Sequence, residues 1–314
     1  MSTAAAPAAG TSLSRRAVRA ADRRRGGNYA SSLGVAMVAP SLAVFLGLIA
    51  VPIIVVGLVS LSLWTGFDIA DVKWLGLENY RTIAGDEIFW RALRNTLLFT
   101  GLTTLFLNII GFGAALLIST RVRGTGLLRG VIFLPALLPS VLVGLMWQRV
   151  LDAFGFVNQI LQWLGVADQP IFFLGEEQFV LWAIIGVTVW QFAGYDMILY
   201  YAGLQGVDRS MLEAAALDGA RTPATVFRVI IPSMWHIVGV VALLNIIGGL
   251  KIFDVVFVMT RGGPNRSSEV LATYMFEQGF RFSIMGVASA IAVVIVVLAV
   301  IASVARFRLA RRLV

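Results

Sequence analysis

From Leu33 to Leu63 the chain carries no charged side chain. A bilayer's hydrocarbon core is about 30 Å thick and takes roughly 20 helical residues to cross, so this run is long enough to span it. A secretory leader is the competing reading, but its apolar stretch is only about 7–15 residues long. Pro40 and Pro52 predict bends within the span. Five further segments meet the same length requirement: Thr96–Thr120, Gly130–Gln148, Gln178–Gly206, Val229–Leu250 and Phe282–Ala305. Pro135 and Pro139 should distort the third of the six predicted helices near its start. An all-α integral membrane protein with six transmembrane helices is therefore expected.

Composition agrees. Charged residues make up 13% of the chain and apolar residues 59%, against about 25% charged in soluble domains. With so little polar surface, lipid must cover much of the protein. The absence of cysteine excludes disulfides, thiolate nucleophiles and metal–thiolate sites, and a lone histidine, His236, argues against a histidine-based triad or metal centre. The net charge of +8 does not point to nucleic acid, because the arginines flank the apolar runs, where anionic headgroups lie.

Residues 1–30 read as a disordered basic tail with Arg15, Arg16, Arg19, Arg23, Arg24 and Arg25. If that tail is cytoplasmic, the loops on its side of the membrane hold Arg121, Arg123, Arg129, Arg209, Arg221 and Arg228, and the far end adds Arg306, Arg308, Arg311 and Arg312. Most of the acidic residues fall in the opposite loops, from Asp68 to Glu277. Basic residues concentrate on the cytoplasmic side, so both termini are expected there. Residues 31–314 then form one membrane domain, with loops too short to fold alone.

The loop at 207–232, between the fourth and fifth predicted helices, reads as two short helices joined by a tight turn. Ser210 and Glu213 have capping-box spacing, although Asp208 is an equally suitable N-cap. Gly219 suits the left-handed turn that ends a helix, and Thr222-Pro223 suits the start of another. Ala214, Ala215 and Ala216 leave a helix face with little bulk, against which a partner's backbone can approach closely. Met211, Leu212 and Phe227 would supply apolar anchors. The plainer alternatives are local: Glu213 as a cap and Gly219 as an ordinary helix terminator.

Phosphate-binding loops place Gly before Lys and then Ser or Thr. The only lysines here, Lys73 and Lys251, follow Val72 and Leu250. Energy from a nucleotide must therefore come from another polypeptide. Within the spans, Asp196 is the one carboxylate, a costly group in lipid that either lines a path or bonds a neighbouring helix. Trp190, Gln191, Tyr195, Asn245, Lys251 and Asp254 combine flat aromatic faces with polar donors and acceptors, the inventory that holds sugars. Aromatics at such positions also serve as packing and interfacial residues.

Glu213-Ala214-Ala215, Asp218-Gly219-Ala220 and Pro232 together resemble the EAA loop of ABC importer permeases, in the form of the carbohydrate-uptake branch that takes up maltose and multiple sugars. Arg94-Asn95-Thr96, Phe133-Leu134-Pro135, Trp147, the stretch 190–205 and the segment 251–264 resemble the same branch in the same order. The resemblance implies a type I ABC importer permease fold in the cell membrane, without catalysis of its own. It implies that the loop couples to a cytoplasmic ABC ATPase dimer, which holds the ATP and magnesium, and that a second homologous permease and an extracytoplasmic binding protein complete the system. A sugar or oligosaccharide is the implied cargo, a glycerol phosphate the nearest alternative, and a stand-alone secondary transporter a more distant one.

Overall fold

The computed structural model describes residues 37–66, 68, 72–119, 124–218 and 222–312. The tail at 1–30 and the coupling-loop residues Gly219 and Ala220 lie outside the described residues. The chain divides into two compact units, Met1–Val56 and Gly57–Val314. Helix α1, Met37–Val59, begins in the first and ends in the second. None of its residues is buried, as suits a helix whose solvent is lipid.

Prolines shape the apolar helices in a repeated way. In α1 the turn Leu46–Ala50 widens to a π-helix just ahead of Pro52. The same widening occurs at Val226–Ile230, just ahead of Pro232. Proline lacks an N–H and its ring crowds the carbonyl four residues back, so the preceding turn opens to relieve both.

In the second unit a small antiparallel pair, β1 (Ser62–Leu63) and β2 (Lys73–Trp74), precedes α2 (Glu78–Ala84). Helix α3, Glu87–Ser119, starts nearer the N-terminus than the predicted Thr96 because the charged turn with Arg91 and Arg94 continues the helix beyond the apolar run. Its buried residues Thr96, Phe99, Thr103, Leu107, Gly111, Ala115 and Ile118 recur every three or four positions, so one stripe is buried. The opposite face exposes Leu98, Leu105, Ile109 and Leu117. Thr96, Thr103, Gly111 and Ala115 in that stripe are the small residues that let helices pack closely in lipid.

The third predicted span is not one straight helix. Helix α4 (Thr125–Phe133) passes through a 3₁₀ turn, Leu134–Leu137, and the chain bends by 98° before α5 (Ser140–Val150). Pro139 forces this break, since Leu138 before it is held extended. A short helix, α6 (Phe156–Trp163), follows. Helix α7, Glu177–Leu204, is the most buried span and packs along α3. At Gly194 a Cβ would meet the backbone of Ile132 and Phe133, and at Gly111 one would lie 2.6 Å from the Asp196 Cβ. Glycine is what lets α4 and α3 approach α7 this closely.

The loop helix α8 (Arg209–Leu217) leads into α9 (Pro223–Ser233), which meets α10 (Trp235–Leu250) at a 77° bend. The fifth predicted span is thus also bent. Two short helices, α11 (Asp254–Met259) and α12 (Leu271–Phe276), precede the last span, α13 (Met285–Arg312). Among the described residues, four helices are long and apolar enough to cross a membrane, or up to six if each bent pair counts as one span.

Candidate functional site

A cavity of about 400 Å³ lies between α3, α7 and α10, with Ser140 and the start of α11 also in its lining. Tyr195, Asn245, Lys251 and Asp254 line it, so four of the seven path residues singled out from sequence converge on one wall. Each is placed by its element. Tyr195 stands on the face of α7 beside Phe192, and Asn245 comes from the middle of α10. Lys251 caps the C-terminus of α10, and Asp254 opens α11 after a two-residue break, which puts a cation and an anion at the same edge. Both positions suit the helix dipoles they sit on.

The other three take different places. Asp196 is fully buried and accepts a hydrogen bond from Asn245 Nδ2 at 2.6 Å, so it reaches the cavity only through Asn245. The Gln191 side chain is also buried, and its Nε2 donates to Leu138 O at 2.9 Å and to Ser140 Oγ at 3.3 Å. That pair ties α7 to the break between α4 and α5. Trp190 packs edge-on against Trp147, ring centres 5.3 Å apart. Thr103, Ser140, Thr188 and Phe192 also line the cavity, and the sequence reading passed over them. Hydroxyls, an amide, aromatic rings and one charge of each sign give the lining both hydrogen-bonding groups and flat apolar faces. Among the described residues, no cluster of three or more His, Cys, Asp or Glu is arranged to hold a metal.

One end of the bundle is locked by polar contacts. Asn95 Nδ2 donates to Ser267 O and Glu269 O at 3.0 and 2.9 Å, and Thr96 Oγ1 accepts from the Leu271 N–H at 2.9 Å. Gln148 Nε2 donates to Val258 O and Met259 O. Thus Gln148, beside Trp147, is tied to the segment 251–264, and Asn95 and Thr96 to residues 267–271 that follow it. Arg266 bridges Glu277 at 2.7 Å and Glu269 at 3.2 Å, and Arg281 pairs with Glu277. Burial raises the Glu269 carboxyl above its ordinary pKa, against the opposing effects of the Thr273 hydroxyl and Arg266.

At the other end, α8 begins at Arg209, and Asp208 caps it by accepting the Ser210 N–H at 2.9 Å. These hydrogen bonds hold the Asp208 carboxyl below its ordinary pKa. The cap is therefore Asp208 rather than Ser210. Glu213, Ala214 and Asp218 are exposed, Ala215 is half-buried, and Asp218 N–H continues the helix by donating to Ala214 O. Met211 (47%), Leu217 (90%) and Phe227 (70%) all expose apolar surface around the alanines, and Pro232 is exposed where α9 ends.

Residues 108–314 match the family described as binding-protein-dependent transport system inner membrane component. The chain is 31% identical to the lactose transport system permease protein LacF of Rhizobium radiobacter over 88% of its length and 94% of that protein's. It is 29% identical to the trehalose/maltose transport system permease protein MalF of Thermococcus litoralis, covering 85% and 90% of the two chains. Its backbone superposes with a TM-score of 0.75 on a chain of a bacterial ABC transporter that imports the acidic polysaccharide alginate, at 25% identity over 91% of this chain and 99% of that one. A second structure of an alginate transporter, in complex with its pentasaccharide-bound periplasmic protein, gives a TM-score of 0.77 at 23% identity, over 90% of this chain and 96% of that one.

Proposed function

Because the chain belongs to the family of binding-protein-dependent transport system inner membrane components, we propose that it forms half of the membrane channel of an ATP-driven importer of a sugar or oligosaccharide. The observation that carries this reading is the cavity itself: Tyr195, Phe192, Asn245, Thr103 and Thr188 meet within the bundle, with the aromatic and hydrogen-bonding groups a sugar requires. The relatives named for lactose and for trehalose and maltose support the cargo class.

In this reading the protein crosses the cell membrane six times, each bent pair forming one span, with both termini in the cytoplasm. The arginine asymmetry supports that orientation. A cytoplasmic ABC ATPase dimer binds ATP and magnesium and grips α8, whose alanines allow close seating and whose Met211 and Leu217, with Phe227 of α9, supply contact area. Glu213, Asp218, Gly219, Ala220 and Pro232 are the further coupling residues in this reading. A second permease completes the cavity, and a binding protein delivers cargo to the end that holds Arg266 and Glu277. Chemistry is left to the ATPase. ATP-driven closure of that dimer shifts the permease pair between inward-open and outward-open states, through differential contacts in the two.

A second reading, import of a glycerol phosphate, is favoured by one feature, the Lys251 ammonium on the cavity wall. Reconstitution with the partner ATPase, second permease and binding protein separates the two. Uptake of labelled lactose, maltose or trehalose with stimulated ATP hydrolysis is expected. Stimulation by glycerol 3-phosphate alone favours the second reading, and uptake by the isolated chain without ATP overturns both.

A further inference from the structure

Between the end of α5 and the start of α7, helix α6 turns the usual surface pattern inside out. Phe156, Ile160 and Trp163 follow one another at i, i+4 and i+7, with Leu164 beside them, so they share one face. All four are exposed, Trp163 by 84% and Phe156 by 65%, and Phe154 and Val166 extend the patch at either end. The opposite face is where the polar contacts lie. Asn158 is buried, its Nδ2 donating to Asp152 O at 3.0 Å and Ile171 O at 2.9 Å while its Oδ1 accepts the Ile171 N–H at 2.8 Å. Val157 packs into the main core. The loop is closed on itself by these bonds, and the apolar stripe is held rigidly outward.

We propose that α6 lies in the plane of the membrane surface, with Phe156, Ile160, Trp163 and Leu164 sunk into the boundary between lipid headgroups and acyl chains. Three features select lipid over a protein partner. First, α5 and α7 are parts of membrane spans, so the segment joining them returns to the level where hydrocarbon gives way to headgroups. Second, α5, which touches α6, exposes Leu142, Leu145 and Met146, so the neighbouring helix also presents apolar surface suited to lipid. Third, no residue from Ala153 to Ala167 is charged, and tryptophan and phenylalanine are the residues that favour this depth. Gln159 and Gln162, both exposed, face the headgroup water. Attachment comes from apolar burial, so it needs no anionic lipid. This inference depends on the chain being membrane-embedded and is independent of which solute it carries.

The chain has no native cysteine, so single nitroxide labels at Phe156→Cys, Gln159→Cys, Ile160→Cys, Gln162→Cys and Trp163→Cys, attached before assembly with the partner subunits, report on α6 alone. The full chain, assembled with its partner subunits, is placed in phosphatidylcholine vesicles, with and without phosphatidylglycerol. Labels at 156, 160 and 163 should collide preferentially with oxygen, and those at 159 and 162 with a water-soluble nickel chelate, in both lipids. Preference for nickel at all five places α6 in water and overturns the proposal. Shielding of 156, 160 and 163 from both reagents places a protein there and overturns it equally.

Discussion

Asn245 of α10 donates a hydrogen bond to Asp196 of α7, Nδ2 to Oδ2 at 2.6 Å, inside the apolar interior of the bundle. One turn further along α7, the Tyr200 hydroxyl donates to Asn108 Oδ1 of α3. Helix α7 is therefore fastened by polar contacts to both helices that frame the cavity with it. Asn245 belongs at once to the cavity lining and to this fastening.

Removing Asn245 should be costly. An Asn245→Leu variant leaves the fully buried Asp196 without that donor, and loss of a hydrogen bond to such a group costs about 1.5–3 kcal/mol. Replacing both residues, Asp196→Leu with Asn245→Leu, should recover part of that loss, because no buried polar atom is then stranded. Thermal unfolding of the purified complex in detergent checks the order: wild type, then the double variant, then Asn245→Leu.

Two glycines on the same helix, α3, should respond in opposite ways to one added methyl. At Gly111 a Cβ would lie 2.6 Å from the Asp196 Cβ, whereas at Gly101 nothing lies within 4 Å. Gly101→Ala should stabilise the helix by about 0.5–1 kcal/mol, and Gly111→Ala should destabilise the packing of α3 on α7. Equal melting temperatures for the two variants would remove the close-approach argument.

The acidic lock gives a pH dependence with a definite sign. Burial raises the Glu269 carboxyl in the folded protein above its value in the unfolded chain. The folded state therefore binds more protons in that window, and stability falls as pH climbs from the unfolded pKa through the folded one. Glu269→Gln should flatten that part of the stability curve while keeping an acceptor for Thr273. Glu277→Gln should destabilise more, since Glu277 pairs with both Arg266 and Arg281.

Much of this was legible in the sequence because lipid imposes a simple demand. A helix that must satisfy its own backbone across the bilayer announces itself as an uncharged run, and the apolar cores of all six segments are helical. The two bends were less visible: Pro135 and Pro139 predicted distortion but not a 98° turn, nor that Gln191 of another helix would bond Leu138 O and Ser140 at the break. Tyr195, Asn245, Lys251 and Asp254 could be named from side-chain chemistry alone. Thr103 and Thr188 could not, because in apolar helices such hydroxyls commonly bond their own backbone, as these do to Phe99 O and Ile184 O. Asp196 stood out by its charge, yet only the fold could pair it with Asn245. The cap at Asp208 was one of two equal choices until the first turn of α8 was seen.

In the proposed importer, the loop carrying Ala214, Ala215 and Gly219 transmits the ATPase's movement to the spans. The most direct test is sugar uptake by vesicles of the reconstituted complex in which Gly219 is replaced by tryptophan. The variant chain should still insert and pair with the second permease, while ATP-driven uptake is lost because the bulky ring unseats the lever. Uptake at the wild-type rate from Gly219→Trp vesicles would contradict this role for the loop.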